Sequence, residues 1–361
     1  MRYLPDRIEP VLVTPFDPWT HVDRPDRLTH DRVDVDAPLP KTGGHWLPGL
    51  WRYYRDYYRV WNRVTRRAVD RHRPDLVVAN NSLSINFGVG TAAKWAGVPS
   101  VCHQKDFEYD GRLMRMMASR SPFDHFISMS RSIEDQLVDL GVPRSRSTEI
   151  FDPMTPPSDA LLHRRRCRVA ELGDAMPVVA MHSMVIHWKG QHVFLRAVAE
   201  LARRGVTNFR PMIAGSPPAG EPGYIDELKA LAGELGIAER IEWVGHQRDV
   251  YEYLTGVDIA VHASVDPEPF GRVVPEAMLL GIAGVVSTGG GPQQYVVDGE
   301  MGLHAPCGDV SALAGAIEKL LAMPVGDREA MGEAARQHAL RAFAPERLAG
   351  QMVSLFDGVV R

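Results

Sequence analysis

Glu268 and Glu276 flank seven residues in the string Asp266-Pro-Glu-Pro-Phe-Gly-Arg-Val-Val-Pro-Glu276. Pro269-Phe-Gly271 must turn, and Val273 to Leu280 reads as the start of a helix. Glu268 then precedes the turn and Glu276 lies inside the helix. Both face one pocket at the carboxyl end of a strand, where open α/β sheets bind ligands. A carboxylate accepts two hydrogen bonds at once, so it suits paired sugar hydroxyls. Stabilisation of a Glu at a helix N-terminus by the dipole accounts for one of the two, not for the whole string.

Three further places carry chemistry. His187-Trp-Lys-Gly-Gln191 follows the apolar run 178–181 and precedes an amphipathic helix, so Lys189 and Gly190 occupy a strand-to-helix turn. Free N–H groups there attract phosphate, and the Lys adds a point charge. Ile213-Ala-Gly215-Ser216 ends a strand on a Gly, where backbone can approach a ligand closely. His103 ends the strand Val101-Cys102 and precedes Gln104-Lys-Asp-Phe-Glu108, at the carboxyl edge of a first sheet. Asp124-His125 is a weaker candidate.

These residues need sheets to hold them. Short apolar runs at 11–13, 76–79, 100–102, 126–127, 178–181, 209–214, 241–244, 259–261 and 283–287 read as buried parallel strands. Helical-period segments at 50–72, 131–140, 192–204, 224–236, 309–322 and 327–342 separate many of them. This alternation predicts doubly wound α/β sheets. At 361 residues the chain has room for two domains. The Pro-rich Asp152-Pro-Met-Thr-Pro-Pro-Ser158 marks the boundary. The expected division is 1–155, 172–340 and a terminal helical segment 341–361, with Arg164 to Arg168 a short charged helix or linker. Ser130 reads as the N-cap of a helix that buries Ile133, Leu137 and Leu140.

Composition excludes much. A net charge of −4 argues against nucleic acid as the main partner. Three scattered cysteines build no disulfide scaffold and suit a reducing compartment. No run reaches the ~18 apolar residues of a membrane span. The first residues, MRYLPDRIEP, are not a secretory signal. A cytoplasmic location follows, with peripheral contact at the inner membrane face offered by helix 50–73. There Leu50, Tyr54, Tyr57, Trp61, Val64 and Ala68 recur at helical spacing, opposite Arg52, Arg55, Arg59, Arg63 and Arg66. Packing of that apolar face on a sheet accounts for the same pattern and is the simpler reading.

The string Glu268-Pro-Phe-Gly-Arg-Val-Val-Pro-Glu276 resembles the E-x7-E motif of family 4 of the retaining glycosyltransferases. Trp188-Lys-Gly-Gln resembles that family's diphosphate-binding turn. Trp243-Val-Gly-His-Gln-Arg-Asp-Val250 resembles the strand and loop that hold the nucleotide base, which assigns His246 and Gln247. Ser287-Thr-Gly-Gly-Gly-Pro-Gln-Gln294 and Asp298-Gly-Glu-Met-Gly302 resemble the Gly-rich segments that follow. Arg73-Pro-Asp-Leu-Val-Val and Ala96-Gly-Val-Pro-Ser-Val-Cys-His103 resemble the acceptor domain. The resemblance implies a GT-B fold, two Rossmann-like doubly wound domains facing a cleft, with the terminal helix crossing back to the first domain. It implies a nucleotide-sugar donor, with UDP or GDP as the nucleotide. Glu276 would bind ribose hydroxyls, and Glu268 would hold the transferred sugar. Phe270 and Gly271 would offer backbone N–H groups, and Lys189 would neutralise the diphosphate. Gly190 and Gly215 would line the donor site, and His103 would contact the donor sugar, with Lys105 or Asp106 orienting the acceptor. No Asp-x-Asp pair stands at an obvious site, so the sequence requires no metal.

Three departures stand out. The family's Arg five residues before the Lys is Met184 here; His182, His187 or Arg272 can compensate. Gln294 replaces a frequent Glu. The family opens with a strand and a Gly-rich loop, whereas residues 1–8 lead directly into Pro10-Val-Leu-Val-Thr-Pro-Phe16, which resembles its second strand. An upstream start, a natural truncation, and Gly43-Gly44 as a replacement loop are three accounts of this. A GT-B sugar-nucleotide epimerase and a non-catalytic nucleotide-sugar-binding subunit are alternative readings, and the E-x7-E string disfavours the epimerase. No Gly-x-Gly-x-x-Gly follows a strand near a suitable acidic residue, which argues against a dinucleotide oxidoreductase.

Overall fold

A computed structural model describes residues 5–14, 28–32, 57–171, 176–218 and 223–361. The expected features at Phe16, Gly43-Gly44, Leu50, Arg52, Tyr54 and Arg55 lie outside these described residues. The chain divides into two units, Met1–Asp152 with Pro345–Arg361, and Pro153–Ala344.

In the first unit, β1 (Val11–Thr14) and β2 (Thr29–Arg32) form a parallel pair. A second parallel sheet runs in chain order through β3 (Val77–Asn81), β4 (Ser100–Gln104), β5 (His125–Ser128) and β6 (Ser147–Glu149). Every residue of β4 is buried. That fits an apolar run flanked by strands on both sides. Helix α1 (Arg59–His72) packs against α2 (Leu83–Trp95). The contact is close because Gly88 has no side chain: a Cβ there would lie 2.5 Å from the Tyr58 carbonyl oxygen. Asn62 seals it by donating to the Gly88 carbonyl at 3.2 Å. Thus the apolar face of α1 is spent on packing, while Arg59, Arg63 and Arg66 are exposed. Helices α3 (Arg112–Ser119) and α4 (Arg131–Asp139) follow. Ser130 caps α4 by accepting from the Ile133 amide, and Ile133, Leu137 and Leu140 are buried.

The second unit begins with α5 (Asp159–Glu171). This helix is more than a charged linker. Arg165 and Arg168 both reach Asp258, which also accepts from the Val178 amide at 2.8 Å. That buried pairing ties α5 to the entrance of the sheet. The sheet is six-stranded and parallel, in the order β12-β11-β10-β7-β8-β9. The strands are β7 (Val178–His182), β8 (Arg210–Ala214), β9 (Glu242–Gly245), β10 (Ile259–His262), β11 (Gly284–Ser287) and β12 (Leu303–Ala305). The order reverses between β7 and β10, which defines the switch point of an open α/β sheet. The helices are α6 (Gln191–Arg203), α7 (Gly223–Glu234), α8 (Val250–Leu254), α9 (Val273–Leu279), α10 (Pro292–Tyr295), α11 (Val310–Ala322) and α12 (Val325–Ala342). Phe194, Leu195, Ile259, Val285, Ile317 and their neighbours form its largest core.

The last helix, α13 (Pro345–Val360), belongs to the first unit. Leu348 is buried there with Val101, Ile127 and Ile150. Among the described residues no helix is long and apolar enough to cross a membrane.

Candidate active site

The switch point gathers the charged residues of the second unit. His182 ends β7, the Lys189 turn follows it, and His262 ends β10. Gly190 has φ +80°, a conformation that favours glycine, and a Cβ there would lie 1.9 Å from the Ala263 carbonyl oxygen. The Val265 amide donates to the Trp188 carbonyl at 2.9 Å. These two contacts dock the turn after β7 against the exit of β10. Lys189 therefore meets Glu268, Nζ to Oε2, at 2.6 Å, while its ammonium lies over the Trp188 ring.

Glu268 is buried, and three donors converge on its Oε2: Lys189, Ser264 Oγ at 3.0 Å and His262 Nε2 at 3.3 Å. The imidazole's tautomer follows from its other side. The Ser287 amide can only donate, and it points at His262 Nδ1 at 3.3 Å, so Nε2 carries the proton toward Glu268. Burial alone would push the Glu268 carboxyl up. The His262 N–H and the Lys189 ammonium outweigh burial and hold it at about 2. No donor among the described residues reaches Oε1. One carboxylate oxygen is thus fixed by protein and the other is open to a ligand.

The turn after Glu268 is anchored from beneath. Phe270 is buried edge-on to Phe343 and near Tyr295, whose hydroxyl donates to the Phe270 carbonyl. Gly271 has φ +73°. Its own amide makes no hydrogen bond with the described residues, and α9 begins at once after it. Glu276, on α9, lies with Oε2 3.6 Å from His182 Nε2 and Oε1 3.9 Å from Arg272. The Arg272 side chain is itself mostly exposed.

Other expected residues fall elsewhere. Gly215 has φ +137°, and a Cβ there would sit 1.8 Å from the Ser183 carbonyl oxygen. The protein's own backbone is enough to require this glycine. His246 and Gln247 lie beyond β9 at the sheet edge, and Gln247 folds back onto the carbonyls of Val244 and Gly245. Neither touches the Lys189–Glu268 pair. Of the residues offered for the Met184 position, Met184 itself is exposed and His187 stacks on His192 at 4.5 Å between ring centres. His182 and Arg272 both lie near the motif carboxylate Glu276. The supporting groups His262, Ser264 and Ser287 were not singled out from the sequence. The signal was present in a polar pair, His262 and Ser264, at the end of an otherwise apolar run.

In the first unit His103 is buried at the end of β4, with Nε2 3.7 Å from Asp152 Oδ1. Lys105 Nζ donates to both Asp152 oxygens at 3.0 and 3.1 Å. Burial first, and the Lys105 charge second, bring the imidazole down to about 4 against the pull of Asp152, so His103 is neutral near pH 7.

Residues 169–338 match the family model described as Glycosyl transferases group 1, and residues 1–150 match the Glycosyl transferase 4-like domain. The chain is 34% identical over 146 residues to the lipopolysaccharide core biosynthesis glycosyltransferase LpsE of Rhizobium meliloti, which is 40% of each chain. It is 29% identical over 344 residues to the D-inositol 3-phosphate glycosyltransferase of Nocardia farcinica, covering 92% of this chain and 70% of that one. The matched stretch thus spans less than half of the first relative. A crystal structure of Anabaena HepE in complex with UDP and glucose superposes with a TM-score of 0.73 at 22% identity, over 92% of this chain and 86% of that one. The fold is the expected α/β GT-B class.

Proposed function

We propose, on the premise that the chain belongs to the family-4-like glycosyltransferases, that it moves a sugar from a nucleotide-diphosphate-sugar donor to an acceptor hydroxyl with retention of anomeric configuration. The observation that carries this reading is the meeting of Lys189 with Glu268 at the switch point, with Glu276 on the adjoining helix. In this reading Lys189 leaves Glu268 for the diphosphate and stabilises the charge that develops on the leaving group. The open Oε1 of Glu268 accepts a hydroxyl of the transferred sugar, the Gly271 amide meets the phosphate or sugar, and Glu276 takes the ribose hydroxyls. Gly190 and Gly215 shape the backbone around the donor, Phe270 fixes the turn, and Arg272, His246 and Gln247 line the outer part of the nucleotide site. His103, neutral, would hydrogen-bond the donor sugar, with Lys105 or Asp106 orienting the acceptor.

With Lys189 on the diphosphate, Glu268 still takes Ser264 and His262 on Oε2 and a sugar hydroxyl on Oε1, which makes it a weak base and a weak nucleophile. That favours attack on the same face as departure, without a covalent intermediate on Glu268. UDP or GDP is the proposed nucleotide, and the UDP held by HepE supports a donor of this class. Three free thiols suit a reaction in the cytoplasm. Exposed Arg59, Arg63 and Arg66 would supply any contact with an anionic membrane face.

The test is a thermal-shift screen with UDP, GDP, ADP and their sugars, followed by anomeric analysis of the product. One nucleotide class should raise the melting temperature, and Lys189→Ala should abolish that shift and lower transfer about a hundredfold. An inverted product would end the retaining assignment. Epimerisation of the donor with no acceptor present would replace transferase by epimerase.

A further inference from the structure

His182 is the last residue of β7, at the centre of the switch point, and is buried. Neither of its ring nitrogens has a hydrogen-bond partner among the described residues. Native interiors pair nearly all buried polar groups, because leaving one unpaired is costly. The ring lies beside Tyr253, with 6.4 Å between centres. Its Nε2 lies 3.6 Å from Glu276 Oε2, beyond a direct hydrogen bond and close enough that one oxygen can bridge them. An oxygen about 2.8 Å from each atom fits that gap. The carboxylate can only accept, so with the His182 proton on Nε2 the bridging atom donates to Glu276 and accepts from Nε2–H. A hydroxyl does both; a phosphate oxygen, which only accepts, cannot.

We propose that His182 is a donor-binding residue, which together with Glu276 clamps one hydroxyl of the nucleotide's ribose diol, while Glu276 Oε1 takes the other. This deepens the proposed function and rests on it. The clamp makes affinity depend on the ribose diol more than a lone carboxylate would, because losing the hydroxyl leaves the buried His182 ring unpaired as well as one oxygen of Glu276.

Calorimetric titration of the full chain tests it, with UDP and GDP and the 2′,3′-dideoxy counterpart of whichever binds. Wild type should bind the ribonucleotide at least tenfold more tightly than the dideoxy form. His182→Phe should lose about tenfold for the ribonucleotide and nothing for the dideoxy form. His182→Gln, whose amide can stand near Nε2, should recover most of the loss. His182→Asn, which is too short, should not, and it serves if the Phe variant does not fold. Adding His182→Phe to Glu276→Gln should cost less than it does alone, because the two act on one hydroxyl. Equal loss for both nucleotides would assign His182 to packing and overturn the clamp, as would wild-type affinity in both His182→Phe and His182→Asn. Nucleotide binding that needs Lys189 but not His182 sinks only the clamp. Failure of wild type to bind either nucleotide sinks the donor reading with it.

Discussion

Glu268 carries its charge at a depth where burial disfavours it, because His262 and Lys189 outweigh burial. A carboxyl whose native value lies below its unfolded value stabilises the fold above the unfolded value, and that stability is lost as pH falls through the native one. For Glu268 the window runs from 4.5 down to about 2, and the contribution is on the order of 3 kcal/mol. Glu268→Gln should lower stability at neutral pH by a few kcal/mol and flatten the decline across that window, as read by denaturant unfolding at a series of pH values. His103 follows the same sign at higher pH. Its native value of about 4 lies below the ordinary 6.5, so the unfolded chain binds the proton first and stability falls between pH 6.5 and 4. His103→Gln should remove that decline without touching the lower one.

At the scale of elements, glycines set how closely the turns dock. Gly190 and Gly215 each combine a positive φ with a carbonyl oxygen less than 2 Å from where a Cβ would stand. Alanine at either site should lower stability by about 2 kcal/mol or more, measured as a fall in melting temperature. Gly190→Ala should also weaken nucleotide binding, because its turn carries Lys189. Gly215→Ala should weaken it only to the extent that the turn after β7 shifts. Strands from apolar runs, and helices from apolar spacing, were legible at β7 to β11 and at α6, α11 and α12. Strands β2 and β6 are polar, Thr29-His-Asp-Arg32 and Ser147-Thr-Glu149, and β12 has three residues. Helix α2 holds Gly88 and Gly90 and buries most of its surface. Such segments give no clear period, because the surroundings rather than the local pattern decide their state.

For the molecule as a whole, the chain leaves the first unit at Asp152 and returns to it at Pro345. The first unit is thus built from two separate stretches of chain, closed by α13. Leu348 is buried in that closure, so Leu348→Ala should destabilise the first unit by about 2–5 kcal/mol. Nucleotide should stabilise the second unit alone. Differential scanning calorimetry with and without nucleotide checks both: the variant should shift one transition and the ligand the other. A single transition that moves equally under both would show that the units unfold together.

Residue types, their spacing and the alternation of apolar runs determined by themselves the α/β class, the Glu268–Glu276 pair and the place of Lys189 after a buried strand. These follow from local rules, in which side-chain period sets the element and element ends set the turn. Tertiary structure alone decided which groups meet. His262 and Ser264 are near Glu268 in sequence, yet Lys189 and Ser287 reach that network only because β7, β10 and β11 lie side by side in the sheet. Strand order is fixed by packing across the whole unit, and no local pattern encodes it. The same holds for Gly215, whose reason is a carbonyl on another strand's exit, and for His182, whose unpaired ring takes its meaning from a carboxylate 94 positions further along the chain.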